Sequence, residues 1–213
     1  MPPDAIIFDI DGTLWDASAA SAEGWNNALA KLGIERIVTP KEIAGVSGHP
    51  YDQCIDILLP GLVARYPGLR ETINQCEDLV VRTRSGVFYE GALTGIKTLA
   101  RRNKIFLVSN CQEWYLRLFF GFSGLEPALI GYDCYGMSGL NKGEMLKKIG
   151  ADYSLEHPVY IGDTAGDETA AREAGMKFFH VSYGFGTATK KAETFDSFAE
   201  LVDYFLGLKK VKV

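Results

Sequence analysis

Short runs of consecutive apolar residues recur along the chain and predict the strands of a buried sheet. These runs cover residues 5–9, 105–109, 128–131, 158–163 and 177–181. Continuous rather than alternating hydrophobicity is typical of strands buried on both faces, as in a parallel sheet. Apolar stripes at helical spacing lie between the runs and predict helices, as at residues 93–100, 145–149 and 198–205. From residue 91 onward the pattern therefore predicts an α/β fold with a doubly wound, Rossmann-like parallel sheet.

The stretch from residue 16 to residue 87 has a different pattern, with several helix signatures and no convincing strand. Thr39 and Glu42 are spaced as a capping box, with Pro40 at the first helical position. Leu69, Ile73, Cys76 and Val80 recur at spacings of four, three and four, and Gly86 is placed to end that helix. We expect a catalytic core of residues 1–15 and 88–213, interrupted by an all-helical segment of residues 16–87.

Two acidic clusters follow predicted strands. The first contains Asp9 and Asp11, whose side chains point the same way because a strand alternates its faces. The second contains Asp163, at the end of the strand expected beside the first, and Asp167, which could also cap the next helix. Open α/β sheets bind ligands at these carboxyl ends, and four carboxylates placed together require a divalent cation. Oxygen ligands of this kind favour Mg²⁺.

Five further residues at the same strand ends could bind an anion. Gly12 permits a close backbone approach, and the amides around Gly12 and Thr13 can donate to an anion. Ser109 and Asn110 offer a hydroxyl and an amide after the second strand of the core. Lys142 opens a helix and offers a compact positive charge. Each residue alone is a weak indication, and their order relative to the strands makes the set specific.

With these motifs in place, the sequence resembles the haloacid dehalogenase superfamily. The resemblance rests on four signatures and spans nearly the whole chain: Asp9-x-Asp11-Gly12-Thr13, Ser109-Asn110, Lys142 and Gly162-Asp163-x-x-x-Asp167. Tyr89-Glu90-Gly91, residues 170–176 and Tyr183-Gly184-Phe185-Gly186 are similar to the phosphoglycolate-phosphatase-like branch. In that branch a helical cap follows the first strand, which agrees with the helical segment expected here.

The resemblance implies a Mg²⁺-dependent phosphatase that hydrolyses a small phosphomonoester through an aspartyl-phosphate. Asp9 would be the nucleophile, and Asp11 would first protonate the leaving oxygen and then activate water. Carbon–halogen hydrolases of the superfamily lack an acidic residue at the position of Asp11. Because this sequence has Asp11, the resemblance favours phosphoryl transfer over dehalogenation. The expected metal-binding residues are Asp9, Asp11 (through its carbonyl), Asp163 and Asp167. The expected phosphate-binding residues are Gly12, Thr13, Ser109, Asn110 and Lys142.

Substrate selection is expected in the helical cap. In relatives the segment corresponding to residues 45–50 is a cap loop that faces the active site, and His49 is the first candidate for substrate contact. Lys41 and Arg65 are weaker candidates, because charged helix faces are usually only solvated.

Two other functions remain open from the sequence. A sugar-phosphate mutase would use the same site but return the phosphoryl group to a reoriented substrate, and no paired basic cap motif indicates this. A catalytically silent phosphate-binding module would have lost the nucleophile, the acid or the lysine, and all three are present.

Composition and charge limit which binding partners and which cellular compartment are expected. The chain has 22 Lys and Arg against 27 Asp and Glu, a net charge of −5, which disfavours nucleic acid and anionic membranes as partners. Its 4 cysteines include no C-x-x-C pair, and no signal peptide or membrane-spanning run is evident, so we expect a cytoplasmic protein. The expected partner is a small phosphorylated metabolite, and the oligomeric state, monomer or homodimer, stays open.

Overall fold

A six-stranded parallel sheet forms the centre of the computed structural model, which describes residues 3–189 and 192–208. Its strand order is β5-β4-β1-β6-β7-β8, and two further short strands, β2 and β3, pair antiparallel. In chain order the strands are β1 Ala5–Phe8, β2 Trp15–Asp16, β3 Val87–Phe88, β4 Lys104–Ser109, β5 Gly131–Cys134, β6 Pro158–Gly162, β7 Lys177–Val181 and β8 Glu193–Phe195. The predicted α/β, doubly wound parallel fold is confirmed.

Eleven α-helices are present among the described residues. They are α1 Ser18–Lys31, α2 Pro40–Val46, α3 Tyr51–Leu58, α4 Leu62–Arg65, α5 Leu69–Arg84, α6 Ala92–Leu99, α7 Glu113–Ser123, α8 Tyr135–Ser138, α9 Lys142–Asp152, α10 Ala165–Glu173 and α11 Phe198–Phe205. The central strand β1 divides its side chains between two cores. Ile6 and Phe8 pack in the core that includes α6, α7 and α11, whereas Ile7 packs in the core that includes α9 and α10. This alternation is why β1 is apolar at every position.

Helices α1–α5, here called the helical insertion (residues 18–84), lie between β2 and β3 and have an apolar core of their own. That core includes Trp25, Leu29, Ile55 and Ile73. The two strands that flank the insertion pair with each other, so the chain leaves and re-enters the sheet domain at one point. Trp15, in β2, is fully buried against Phe88 and neighbouring aromatic rings, and it packs this junction.

One predicted element position is wrong. The apolar run 128–131 is not the strand: a 3-10 helix occupies Glu126–Ala128, and β5 begins at Gly131. Pro127 is the second residue of that helical turn, and Ile130 is half exposed beside the sheet edge, so the hydrophobicity of Ile130 does not mark the strand. The helix that Gly86 is expected to end does stop there: its last residue is Arg84 and its C-cap is Ser85, although the positive φ of 60° belongs to Ser85 and not to Gly86. The short edge strand β8 was not predicted.

Within residues 3–189 and 192–208, every helix is too short or too polar to cross a membrane.

Candidate active site

The parallel register brings three strand ends to one place. Phe8 in β1 is paired with Leu107 in β4 on one side and with Ile161 in β6 on the other. The residues that follow these strands therefore meet at the carboxyl edge of the sheet, in the middle of its strand order. Asp9, Ser109 and Asp163 are all nearly or fully buried there.

Three carboxylates form a compact cluster at this edge. Asp9, Asp163 and Asp167 each offer an oxygen, and these three oxygens lie within 4.8 Å of one another. Gly12 makes the packing possible, because a Cβ at its position would lie 2.2 Å from Oδ2 of Asp163. Gly12 also has a φ of +78°, which other residues rarely adopt. Buried carboxylates this close repel one another unless a cation lies among them.

Lys142 supplies a positive charge within the protein. Its Nζ donates to Oδ1 of Asp9 at 3.0 Å and to Oδ1 of Asp167 at 2.6 Å, and its side chain is buried. Lys142 is the first residue of α9, and a capping box formed by Asn141 and Glu144 fixes that helix start. The start of α9 thus places the ammonium group of Lys142 against the carboxylate cluster.

Burial and the charge of Lys142 have opposite effects on the pKa of the carboxylates in the cluster. Burial raises the pKa of Asp9 well above its usual range, the Lys142 charge opposes this, and the charges of Asp167 and Asp163 raise the pKa further. Burial also acts to raise the pKa of Asp167, but the charge and hydrogen bond of Lys142 outweigh it, so that pKa is lowered. Burial opposes protonation of Lys142, yet the charges of Asp167 and Asp9 hold its pKa above the usual value. Lys142 thus favours the ionised form of Asp167, whereas burial disfavours the ionised form of Asp9.

Asp163 is held by donors from the loop after β7. The backbone amides of Phe185 and Gly186 donate to its Oδ2 at 2.7 and 3.3 Å, and the Thr13 hydroxyl donates to its Oδ1 at 3.3 Å. Burial and the Asp167 charge nevertheless raise the pKa of Asp163 to about 7. The Thr13 hydroxyl is therefore directed at a carboxylate and not into the cavity between the sheet edge and the helical insertion. The sequence pointed to residues 183–186 only through family resemblance.

Asp167 belongs both to a helix cap and to the carboxylate cluster. Its Oδ2 accepts from the amide and the hydroxyl of Thr164, at 3.0 and 2.6 Å, in the capping box that starts α10. Its Oδ1 accepts from Lys142 and, at 3.2 Å, from the Tyr160 hydroxyl. One oxygen thus caps a helix while the other faces the cluster.

A cavity separates the sheet edge from the helical insertion. Six of the predicted site residues line it: Asp9, Asp11, His49, Ser109, Asn110 and Lys142. Gly12, Thr13, Asp163 and Asp167 are not among its lining residues and lie in or beside the carboxylate cluster. The two weaker candidates, Lys41 and Arg65, are exposed and do not line it.

The insertion touches the sheet domain at the rim of this cavity. Asn110 donates from Nδ2 to the carbonyl oxygen of Gly48 at 2.6 Å, and its own Oδ1 is buried without a partner among the described residues. His49, next to Gly48, is exposed on one side and lines the cavity on the other. The loop that contains Gly48 and His49 therefore lies along one side of this cavity.

Sequence reasoning missed Tyr115. Its hydroxyl, on α7, donates to Oδ1 of Asp11 at 2.5 Å. Burial raises the pKa of Asp11 to about 6, and the Tyr115 hydrogen bond limits that rise. Nothing in the sequence around Tyr115 distinguishes it from the other aromatic residues of its helix, so the contact depends on how α7 packs.

Glu77 was also missed. It is 4% exposed on α5, lines the cavity, and accepts at Oε2 from Trp25 Nε1 at 2.8 Å and from the Tyr51 hydroxyl at 2.7 Å. A signal for it was present in the sequence, because Glu77 follows Ile73 by four residues and so lies on the apolar stripe of its helix.

Comparison of the chain with known protein families identifies its family. Residues 3–175 match the model of the haloacid dehalogenase-like hydrolases. The chain belongs to this family. The superfamily, its phosphoglycolate-phosphatase-like branch and the phosphatase class of enzyme that the sequence predicted are confirmed.

Individual relatives match along almost their whole length. A phosphoglycolate phosphatase from Psychrobacter arcticus is 27% identical over 225 residues, covering 97% of each chain. A haloacid dehalogenase-like hydrolase from Streptococcus pneumoniae superposes with a TM-score of 0.79 at 19% identity, covering 95% of this chain and 98% of that one. A predicted phosphoglycolate phosphatase from Haemophilus somnus does so with a TM-score of 0.79 at 17% identity, covering 94% and 97%. At these identities the two structures establish the shared fold.

Proposed function

We propose that the protein is a Mg²⁺-dependent phosphatase that hydrolyses a small phosphomonoester through a phosphorylated Asp9. The observation that carries the proposal is one cavity that both Asp9 and Asp11 line, with Lys142 hydrogen-bonded to Asp9. A nucleophile, a proton donor and a cation for the phosphoryl oxygens are the groups that this chemistry needs.

The donor set suits a hard divalent cation. Asp9, Asp163 and Asp167 present only oxygen ligands at the spacing given above, and the raised pKa values of Asp9 and Asp163 indicate a deficit of positive charge. Asp9, Asp163 and the carbonyl of Asp11 would hold Mg²⁺, with Asp167 supporting directly or through water. When bound, Mg²⁺ supplies charge that neutralises the phosphoryl oxygens.

The proposed reaction has two steps. An oxygen of Asp9 attacks phosphorus, the new P–O bond forms, and the bond to the leaving alcohol breaks while Asp11 donates its proton to the leaving oxygen. Water then attacks phosphorus and gives a proton to Asp11, which breaks the bond to Asp9 and releases inorganic phosphate. A pKa of about 6 suits Asp11 to both roles near neutral pH.

Other residues position the phosphoryl group and exclude water. Ser109, Asn110 and Lys142 line the cavity and would bind phosphoryl oxygens, together with the amides around Gly12 and Thr13. The helical insertion would act as a cap that closes over the substrate, with the core and cap divided at residues 15/16 and 87/88. His49 would contact the leaving group from the cap. The name of the Psychrobacter relative makes 2-phosphoglycolate one candidate substrate.

Substitution of the nucleophile tests the proposal. Phosphate release from p-nitrophenyl phosphate and from a panel of phosphorylated metabolites should require Mg²⁺, and Asp9→Asn should lower kcat by at least ~10³-fold. Asp152→Asn, an equivalent change at an exposed position on α9, should leave the rate unchanged. Full activity in Asp9→Asn would contradict the mechanism. Isomerisation of a hexose 1-phosphate without phosphate release would instead indicate a mutase, and Mg²⁺-dependent binding without turnover a silent binding module.

A further inference from the structure

A buried carboxylate faces the substrate cavity from the helical insertion. Glu77 lines the same cavity as Asp9, Asp11 and Lys142, but it lies on the side formed by the insertion. It is close enough to Asp11 for the two charges to influence each other. A leaving alcohol bound between the sheet edge and the insertion would therefore lie near Glu77.

The partners of Glu77 show that it acts as an acceptor. Trp25 Nε1 carries a hydrogen and can only donate, and the Tyr51 hydroxyl donates to the same Oε2 atom. Burial raises the pKa of Glu77, while hydrogen bonds from Ser21, Tyr51 and Trp25 oppose that rise by stabilising the ionised form. A carboxylate has about four acceptor positions, so these bonds leave Glu77 able to accept from a ligand.

Positive charge is scarce on this side of the cavity. Among the described lining residues, Lys142 and His49 are the groups that can be cationic. Lys142 is paired with Asp9 and Asp167 at the phosphate end. The lining residues of the insertion other than His49 and Glu77 are apolar or neutral: Ser18, Ser21, Ile43, Val46, Ser47, Gly48, Tyr51 and Cys54.

We infer that Glu77 selects the leaving group of the proposed phosphatase reaction. The substrate is a small phosphate ester whose alcohol carries hydrogen-bond donors, hydroxyl or ammonium, and no carboxylate. A donor on the alcohol can bond to Glu77, whereas a carboxylate there would meet a like charge, with His49 as the one lining residue of the described insertion that could be cationic. The inference rests on the proposed function and separates this chain from enzymes that hydrolyse 2-phosphoglycolate.

Three esters of matched size test the inference. In 2-phosphoglycolate, 2-hydroxyethyl phosphate and phosphoethanolamine, the leaving alcohol ends in a carboxylate, a hydroxyl and an ammonium group respectively. With Mg²⁺, the wild-type protein should show a kcat/KM for the hydroxyl or the ammonium ester at least ~10-fold above that for 2-phosphoglycolate. Glu77→Gln should reduce this ratio by ~10-fold, because it removes the charge and keeps the shape.

Two variants serve as controls. Glu71→Gln changes an exposed carboxylate on the same helix, outside the cavity, and should leave the ratio unchanged. Glu77→Asp keeps the charge and should keep the rejection of 2-phosphoglycolate. Each ratio compares substrates on one preparation, so partial unfolding of a variant cancels.

The outcomes separate this inference from the proposed function. Preference of the wild-type protein for 2-phosphoglycolate, or an unchanged ratio in Glu77→Gln, would overturn the role of Glu77 while leaving the phosphatase activity intact. If none of the three esters were hydrolysed, calorimetric binding of the same compounds to the Asp9→Asn protein with Mg²⁺ would test the selectivity separately. Tighter binding of the carboxylate ester in that experiment would also overturn it.

Discussion

The buried hydroxyl of Tyr115 holds the side chain of Asp11, the proposed acid of this site. Asp11 lies beyond the end of β1 and lines the cavity. The Tyr115 hydroxyl holds one of its oxygens, and so limits both its orientation and the rise in its pKa. Tyr115 would therefore act through Asp11, as a positioning residue for the proposed proton transfer.

We expect Tyr115→Phe to alter the pH profile. Loss of the hydrogen bond raises the pKa of Asp11 above about 6, because that bond stabilises the ionised carboxylate. Asp11 must be protonated to donate to the leaving oxygen, so the fall of kcat/KM at high pH should move to higher pH. Loss of orientation should lower kcat by ~10-fold. Steady-state rates between pH 5 and pH 9 would measure both effects.

A second tyrosine provides the matched control for that experiment. Tyr132→Phe removes a hydroxyl that contacts Arg117 and Glu126, outside the cavity, and should leave the pH profile in place. A Tyr115→Phe profile that coincides with that of the wild type would show that the bond has no part in proton transfer.

At the scale of elements, the packing of α1 against α5 positions Glu77. Gly24 on α1 lies against the backbone of α5, where a Cβ would be 2.5 Å from the Cα of Glu77. A larger residue would force the two helices apart. The close approach also brings Trp25, the neighbour of Gly24, into reach of the Glu77 carboxylate.

Gly24→Ala should destabilise the protein although alanine is the better helix former. Alanine gains ~1 kcal/mol from helix propensity, but the steric cost at this contact outweighs that gain. We expect a net loss of about 1–3 kcal/mol in the free energy of unfolding, measured by chemical denaturation.

Replacement of a glycine on an exposed helix face should have the opposite effect on stability. Gly45 on α2 borders open space, with nothing within 4 Å of the position that an added methyl group would take. Gly45→Ala should therefore stabilise the protein by ~0.5–1 kcal/mol. If Gly24→Ala and Gly45→Ala changed the free energy of unfolding in the same direction, the close contact between α1 and α5 would not determine the effect of a substitution at Gly24.

On the scale of the whole molecule, the distribution of charge matters more than its sum. The net charge of −5 would disfavour a phosphate ester if it were spread evenly over the surface. Part of the negative charge instead lies in the buried cluster of Asp9, Asp163 and Asp167, beside Lys142. Together with Lys142, a divalent cation bound there would neutralise these three carboxylates, so that the cluster would no longer repel an anionic substrate.

This arrangement predicts a stability that depends jointly on pH and Mg²⁺. The pKa of Asp163 is about 7 in the folded protein against an ordinary 3.8, so between these values the folded state binds more protons. The contribution of Asp163 to stability in metal-free protein therefore falls as pH rises from 3.8 to about 7. Mg²⁺ binds the ionised form, so it should raise Tm more at pH 8 than at pH 5.5.

Thermal unfolding with EDTA or with Mg²⁺ at the two pH values would measure this difference. Asp163→Asn removes the titrating group and should reduce both the pH dependence and the Mg²⁺ effect. An equal rise in Tm at pH 5.5 and pH 8 would contradict the linkage between Asp163 ionisation and metal binding.

The amino-acid sequence by itself determined the class of fold, the helical segment after the first strand and the residues at the strand ends. Each depends on short-range rules: continuous apolar runs for buried parallel strands, 3.6-residue stripes for helices, and acidic residues directly after a strand. The run at 128–131 misled the prediction because an apolar turn beside an edge strand has the same local pattern as a strand.

Only the tertiary structure decided which side chains share the cavity. Tyr115 and Asp11 are 104 positions apart in the chain, and Trp25 and Glu77 are 52 apart, so no local pattern connects them. Packing of α7 against the sheet edge and of α1 against α5 brings each pair together. The chemistry of the strand ends could therefore be read from the chain, whereas the charge and shape that a leaving group meets depend on contacts between distant helices.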